Sequence, residues 1–250
     1  MISVSTANNK SISNLPAGSL ILLRILGFLL SFVIGSSVIA LPAAAGVADL
    51  SNADAVSGLK QALTDGSAAA VKMLGQDNGY FGNAKVKIPL PPNLQKIESG
   101  LRVMGMKKQA DELVLSMNRA AEAAAPEAKQ LLVDAVKKMS VQDAKAILTG
   151  GDTAATDYFR RTTQEQLTQR FLPIVKKSTE RVGLAQQYNS LAGQASSYGL
   201  IQKDQSTIEG YVTQNSLDGL YLMIGEQEKA FRSNPLGATS DIVKKVFGAL

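Results

Sequence analysis

Six polar residues on two predicted helices are the best candidates for a functional site in this sequence of 250 residues. They combine amide, guanidinium, carboxylate and phenol groups: Asn118, Arg119, Glu122, Asp157, Tyr158 and Arg160. Helical spacing puts Arg119 beside Glu122, and arginine suits bidentate contact with a carboxylate or phosphate. The six residues therefore predict either a pocket for an anionic small ligand or a buried polar network that fixes how the helices pack.

Histidine and cysteine are both absent, which removes several classes of chemistry. Thiolate nucleophiles, disulfides, histidine-based triads and ordinary zinc sites are excluded, and no cofactor or metal is predicted. Hydrolysis of a glycosidic bond remains possible because it needs only two carboxyl groups, one of them with a raised pKa. The candidate carboxylates are Glu122, Asp157, Asp218 and Glu226. We favour the alternative that they cap helices and pair with arginines.

A glycine pair predicts a tight corner just before the second candidate helix. Gly150 and Gly151 would supply the left-handed conformation that ends one helix, and Asp152 or Thr153 would cap the next. We expect this corner, through Arg161, to fold back onto the helix that carries the first three candidates. Arg119 or Arg160 would then pair with a carboxylate of the other segment.

Apolar residues recur at helical spacing along most of the chain, which predicts an all-α, multi-helix bundle. The predicted helices are Asn52–Leu74, a helix from Pro92 to about Met104, Lys107–Ala125, Glu127–Lys138, Val141–Leu148, a helix from Thr153 to about Val182, a helix from Ser206 to about Ser233, and a short helix after Ser240. Residues 184–205 have a less clear pattern. Three prolines predict an extended strap at residues 84–92, because proline biases its predecessor away from the helix.

Several residues predict where these helices begin, end or bend. Ser140 is the expected N-cap of the fifth helix, and Asp49, Ser51 or Asn52 is the expected N-cap of the first. Thr162–Glu165 and Ser206–Glu209 have the spacing of capping boxes. Thr162–Glu165 would restart the long sixth helix. Pro126 and Pro173 are expected to break or kink their helices, and Gly183 to close the sixth.

Residues 1–45 resemble a secretory signal peptide. Lys10 and Arg24 precede a mostly apolar segment, Ile25–Leu41, and Ala43–Ala45 provides an Ala-x-Ala cleavage site. The sequence therefore predicts Sec-type export to the periplasm, followed by a single helical domain at residues 46–250. An uncleaved membrane anchor is the alternative.

The charge balance gives little support for a nucleic-acid partner. Loss of residues 1–45 removes two basic residues and no acidic one, which lowers the net charge from +5 to +3. Three lysine pairs, at 137–138, 176–177 and 244–245, could meet an anionic lipid or polymer, although such pairs are more often a solvated face.

Several motifs in combination resemble the bacterial domain of unknown function 4197 family. They are Gly58–Leu63, Lys87–Pro91, Ser116–Glu122, Gly150–Arg160, Pro173–Lys177, Tyr211–Gln214 and Leu217–Leu220. The resemblance extends from about residue 50 to the end of the chain. It implies an exported, mostly helical protein of Gram-negative-type bacteria, and it implies no known activity and no catalytic residues.

These observations predict a non-enzymatic protein of the cell envelope that binds a partner or a small ligand. Its partner would be an envelope component or an anionic small molecule, and it would touch the membrane only through the signal segment unless that segment is retained. A carboxylate-based hydrolase acting on envelope glycans is the alternative.

Overall fold

Helices account for the regular structure throughout the part of the chain that the computed structural model describes, residues 51–197, 206–237 and 240–248. The α-helices are Asn52–Leu74 (α1), Pro92–Val103 (α2), Lys107–Ala124 (α3), Ala128–Lys138 (α4), Val141–Leu148 (α5), Ala154–Thr179 (α6), Gly183–Ser197 (α7), Ile208–Ser233 (α8) and Asp241–Phe247 (α9). No described residue forms a β-strand, which confirms the all-α prediction. The predicted signal peptide lies outside the described residues.

Two long helices, α6 and α8, form the centre of the domain and pack extensively against each other. Phe159, Leu167 and Phe171 of α6 are fully buried, as are Leu220 and Tyr221 of α8. Helix α3 lies against α6, and α1 lies against α8 and α9. The apolar stripes seen in the sequence are therefore the faces that meet in the core. None of the described helices is both long enough and apolar enough to span a membrane.

The predicted N-caps are correct for α1 and α5 but misplaced for α8. The Ser51 Oγ atom accepts the N–H of Asp54 at 3.0 Å, and Ser140 forms a capping box with Asp143. Helix α8 is capped by Thr207, whose Oγ1 accepts the N–H of Gly210 at 3.0 Å, so the box predicted from Ser206 is wrong. Its Glu209 carboxylate instead accepts a hydrogen bond from Asn189 on α7.

Helix α6 is continuous, so the restart predicted at Thr162–Glu165 is wrong. The Thr162 hydroxyl donates to the carbonyl of Tyr158 one turn earlier at 2.8 Å, which satisfies it inside the helix. Pro173 lies within α6 without ending it, and Gly183 opens α7 rather than closing α6. Pro126 does interrupt its helix, because a short 3-10 helix, Ala125–Glu127, separates α3 from α4.

The glycine corner before α6 depends on close packing rather than on backbone conformation. The positive-φ glycine among the described residues is Gly105, so the left-handed conformation predicted for Gly150 and Gly151 is wrong. A Cβ atom on Gly150 would lie 2.7 Å from the Ala154 Cβ atom, whereas one on Gly151 would meet nothing within 4 Å. Thr153 is the N-cap residue of α6, but its side chain donates to Asp157 and accepts no backbone N–H of the helix.

The predicted strap is shorter than expected. Its buried and exposed residues alternate with the two-residue period of an extended chain. Residues 84–86 form a turn, residues 87–91 form the strap, and Pro92 begins α2. Val86, Ile88 and Leu90 are buried, whereas Lys87 and Pro89 are exposed. The turn and strap therefore add apolar side chains to a helical core while keeping one polar edge in solvent.

A glycine on α8 makes room for this segment, which gives a first prediction. A Cβ atom on Gly219 would lie 2.8 Å from Tyr80 Cε1 and 3.2 Å from Val86 Cβ. Gly219→Ala should therefore destabilise the domain by about 1–3 kcal/mol through overpacking. Gly193→Ala in α7, where a Cβ would meet nothing within 4 Å, should be neutral or stabilising. Thermal unfolding followed by circular dichroism would measure both, and equal melting temperatures would contradict the prediction.

Candidate ligand groove

A buried asparagine of α3 holds the strap in place. The Asn118 Oδ1 atom accepts the N–H of Ile88 and its Nδ2 donates to the carbonyl of Ile88, each at 2.8 Å. None of the described residues forms a strand beside the strap, so this amide supplies the pair of bonds that a strand would otherwise supply. Nδ2 also donates to the Val114 carbonyl of the same helix at 2.8 Å. Asn118 therefore fixes both the position and the register of the strap.

A buried glutamate one turn further along α3 anchors the turn before the strap. The Glu122 Oε1 atom accepts the N–H groups of Tyr80 and Phe81 at 3.1 and 3.0 Å. Its Oε2 pairs with Arg119, which also donates to the side chain of Asn78 at 3.0 Å. Asn78 has a φ of 63°, a left-handed conformation that asparagine tolerates better than most residues. Arg119 and Glu122 thus hold the turn, while Asn118 holds the strap that follows it.

Two tyrosines tie the same segment to α8. The Tyr80 hydroxyl donates to the carbonyl of Ser216 at 2.7 Å, and the Tyr211 hydroxyl donates to the carbonyl of Pro89 at 3.3 Å. Burial raises the pKa of Tyr80, and the negative charge of Glu122 raises it further. Burial, with a smaller effect of the neighbouring Tyr188, raises the pKa of Tyr211 to about 12. Both phenols therefore stay protonated and keep donating at neutral pH.

The strap, α2 and α3 enclose a groove with a volume of about 600 Å³. Its lining residues are Phe81, Lys87, Pro89, Leu90, Gln95, Glu98, Ala110, Asp111 and Val114. The Lys87 Nζ atom lies 4.2 Å from the centroid of the Phe81 ring, within the range of a cation–π contact. The groove therefore combines apolar walls with one ammonium group and two carboxylates. We call this feature the strap groove.

The other three candidate residues, Asp157, Tyr158 and Arg160, lie on α6. Asp157 accepts a hydrogen bond from Thr153 at the start of the same helix, whereas Tyr158 and Arg160 contact other helices. The Tyr158 hydroxyl donates to the carbonyl of Ala135 on α4 at 2.7 Å. Burial, helped by the charge of Asp143, raises the pKa of Tyr158, although Arg161 opposes this shift. Its ring lines a second cavity of about 340 Å³ between α4 and α6.

Arg160 forms an ion pair with α8 rather than with α3. Its Nη1 atom lies 2.8 Å from Asp218 Oδ1, and its guanidinium carbon lies 4.6 Å from the centroid of the Tyr221 ring. The side chains of Arg160 and Asp218 are 39% and 48% exposed, so the pair contributes at most about 1 kcal/mol. Arg119 pairs with Glu122 of its own helix. The ion pair predicted between the two segments is therefore wrong.

The way α3 packs along α6 explains why the three candidate residues on α3 lie apart from the three on α6. The Ser116 hydroxyl donates to the carbonyl of Ser178 at 2.9 Å, near the end of α6. Ser178 lies 17 residues beyond Arg161, which corresponds to about 25 Å along a helix. The middle of α3 therefore packs against the last turns of α6, and the contact predicted with the glycine corner is wrong.

Sequence reasoning missed the residue that does anchor the glycine corner, Glu228 of α8. Its two carboxylate oxygens accept the N–H groups of Ala155 and Thr156, each at 3.0 Å, at the start of α6. Arg232 donates both to this carboxylate and to the carbonyl of Ile147. The spacing of Glu228 and Arg232, one helical turn apart, was the available signal.

The predicted carboxylate Glu226 lies nearby on the surface. It pairs with Lys85, and the hydrogen bond and positive charge of that lysine lower the pKa of the Glu226 carboxyl. Glu226 is therefore an exposed ion-pair partner, whereas Glu228, two residues later, is buried.

The comparisons with known proteins identify a family without an assigned activity. The model of a family described as a protein of unknown function (DUF4197) matches residues 49–248. No curated protein and no solved structure matches the chain significantly. The match covers every helix from α1 to α9 and agrees with the resemblance seen in the motifs. The chain therefore belongs to the DUF4197 family.

Proposed function

We propose that the protein is exported to the periplasm and serves there as a non-enzymatic binding module of the cell envelope, with the strap groove as its ligand site. The observation that carries this proposal is the groove itself, because about 600 Å³ lies within the range of pockets that hold small molecules. Five of its nine lining residues are apolar, and the other four supply polar groups that could orient a ligand.

The rigidity of the groove wall supports a binding role. The strap has its backbone bonded to Asn118 on one side and to Tyr211 on the other. A wall held in this way does not have to be ordered when a ligand enters, so less of the binding free energy is lost to conformational entropy. The buried polar groups beneath the groove thus preorganise the site without touching the ligand.

The charges around the groove suggest the class of ligand. Lys87 lies over the Phe81 ring at one side of the groove, and the Arg119 guanidinium carbon lies 5.9 Å from the centroid of the same ring. A carboxylate or phosphate would pair with Lys87 and a cationic group with Glu98 or Asp111, while an apolar portion would contact Leu90 and Val114. A small amphipathic molecule that carries an anionic group beside a cationic one fits these requirements.

The hydrogen bonds and ion pairs of the buried acidic residues favour ligand binding over hydrolysis. Glu122 and Glu228 accept backbone N–H bonds and pair with arginines, so their oxygens face the protein. A glycosidase needs two carboxyl groups that face the bond to be broken. Glu98 and Asp111, which line the groove, are the carboxylates through which hydrolysis of envelope glycans would have to proceed.

Native mass spectrometry of the protein isolated from the periplasmic fraction would test the binding proposal. We expect a bound small molecule on the wild-type protein, at least tenfold less of it on Lys87→Ala, and no change on Lys129→Ala, an exposed lysine of α4. Soluble fragments released from isolated peptidoglycan, and lost in Glu98→Gln with Asp111→Asn, would support the hydrolase instead.

The start of the purified chain tests export independently. Residues 1–45 and the Ala43–Ala45 site support cleavage shortly before α1, which begins at Asn52. We expect N-terminal sequencing of the periplasmic protein to begin near Gly46 or Asp49. Recovery of the uncut chain in the inner membrane would contradict this part of the proposal.

A further inference from the structure

Two adjacent apolar side chains project into solvent where α2 meets α3. Val103 is 89% exposed and Met104 is 72% exposed, so two of the most exposed large apolar residues described are adjacent in the chain. Gly105, with a φ of 76°, turns the chain immediately after them. The segment 103–108, which we call the α2–α3 tip, therefore presents apolar groups at the point of a helical hairpin.

The same tip carries two lysines in a position that is unfavourable for the helix. Lys107 and Lys108 are exposed in the first turn of α3, where the partial positive charge of the helix dipole repels cations. That turn contains no acidic residue, and the N-cap residue Met106 makes no side-chain capping bond. Stability of the helix alone does not account for lysines at this place.

More cations lie at the same end of the domain. Ser116 of α3 contacts Ser178, and Glu127, which follows α3, pairs with Arg170 earlier in α6. The two helices therefore run in opposite directions, and the start of α3 lies at the end of α6. Exposed Lys176 and Lys177 occupy the last turns of α6, and exposed Arg181 follows. One of the lysine pairs found in the sequence thus adds to the positive charge around the tip.

Acidic residues are also present there. Asp111 and Glu112 of α3 lie one helical turn after Lys107 and Lys108, and Asp111 also lines the strap groove. Glu180 is the C-cap residue of α6, and Glu98 lies on α2 beside the groove. On the α3 side, the charged residues nearest to Val103 and Met104 in the chain are Lys107 and Lys108.

We infer that the α2–α3 tip docks the domain on an anionic phospholipid surface. Val103 and Met104 enter the boundary between headgroups and acyl chains, while Lys107 and Lys108 contact the headgroup phosphates. An apolar tip beside lysines suits this surface because burial of the side chains and attraction of the charges act together. The inference rests on the proposed export, because export would bring the domain close to a membrane.

A single fluorescent reporter makes the inference testable, because the chain contains no tryptophan. Met104→Trp, in protein from the periplasmic fraction, should show a blue-shifted emission with vesicles of phosphatidylcholine and phosphatidylglycerol (7:3). Vesicles of phosphatidylcholine alone should cause no shift. Leu236→Trp, at an apolar position that is 80% exposed elsewhere, should show no shift with either vesicle. A shift at Leu236 equal to that at Met104 would overturn the inference.

Vesicle co-sedimentation separates the two parts of the tip. Lys107→Gln with Lys108→Gln should weaken binding to the anionic vesicles by roughly 30-fold, from about 1 kcal/mol per lysine. Val103→Ser with Met104→Ser should also weaken it at least fivefold, whereas Lys137→Gln with Lys138→Gln should leave it unchanged. The inference would be overturned if either tip variant bound as tightly as the wild type. It would also be overturned if the wild type bound neutral and anionic vesicles equally well. Lys87→Ala should bind vesicles normally, so failure of this test is distinguishable from failure of the strap groove.

Discussion

Glu228→Gln should lower the melting temperature of the domain by about 10 °C, whereas Glu226→Gln should change it by no more than about 2 °C. Glu228 is 4% exposed and receives four hydrogen-bond donors: two backbone N–H groups, the Thr156 hydroxyl and Arg232. Breaking a buried ion pair on one side costs about 3–5 kcal/mol. In a domain of this size each kcal/mol corresponds to about 2–4 °C.

The charge of Glu228 matters as much as its shape. Glutamine has the same length, but its NH₂ group would face donors, and Arg232 would lose its anionic partner. The carboxylate also sits at the positive end of the α6 dipole, where a negative charge is favourable. The Glu226 side chain is 37% exposed beside Lys85, so loss of its charge removes only a solvent-screened pair.

Arg232→Met provides a second test of how Glu228 holds the start of α6. It removes the bonds to Glu228 and to the Ile147 carbonyl but leaves the carboxylate on the α6 amides. We expect it to destabilise the domain by less than Glu228→Gln does. If Glu228→Gln melted within 2 °C of Glu226→Gln, the anchoring role of Glu228 would be excluded.

Asn118→Asp should destabilise the domain by about 3 kcal/mol at pH 7 and by less at pH 5. The introduced carboxylate has nearly the shape of the amide, yet it cannot donate to the carbonyls of Ile88 and Val114. Burial and the two facing carbonyls would raise the pKa of that carboxyl in the folded state. A group whose folded pKa is raised binds its proton more tightly when folded, so stability should increase as the pH falls.

Urea unfolding at pH 7 and pH 5 would measure this effect. Asn93→Asp, at an exposed position in the first turn of α2, is the matched control. There a carboxylate is favourable to the helix dipole, so the variant should be as stable as the wild type or slightly more stable. A pH-independent loss in Asn118→Asp would show that the amide does not donate to the strap.

Local features of the fold could be predicted from the sequence, whereas partners distant in the chain could not. The bounds of α1 and α5 follow from apolar spacing and serine caps, which are determined within a few residues. Arg160 pairs with Asp218, 58 residues away, and Glu228 contacts Thr156, 72 residues away. Sequence spacing shows which side chains share a helical face, but not which other helix that face meets.

In the candidate site, too, contacts within one helix could be predicted and contacts between elements could not. Arg119 and Glu122 pair as their spacing predicts, whereas the bonds of Asn118 to the strap could not be predicted from spacing. The strap groove above them is built by α2, α3 and the strap together, so no spacing within one helix could predict it. Ligand binding by the six candidate residues stays a prediction.

The packing of α1 affects when the domain can complete its fold during synthesis. A Cβ atom on Gly58 of α1 would lie 2.5 Å from a methyl group of Val246, and Asp54 pairs with Lys245 across 191 residues. Helix α1 therefore lacks some of its partners until α9 has left the ribosome. Contacts this distant in sequence slow folding. A chain released after α8 but before α9 would keep the Gly58 face of α1 uncovered, and would be a good substrate for quality-control proteases.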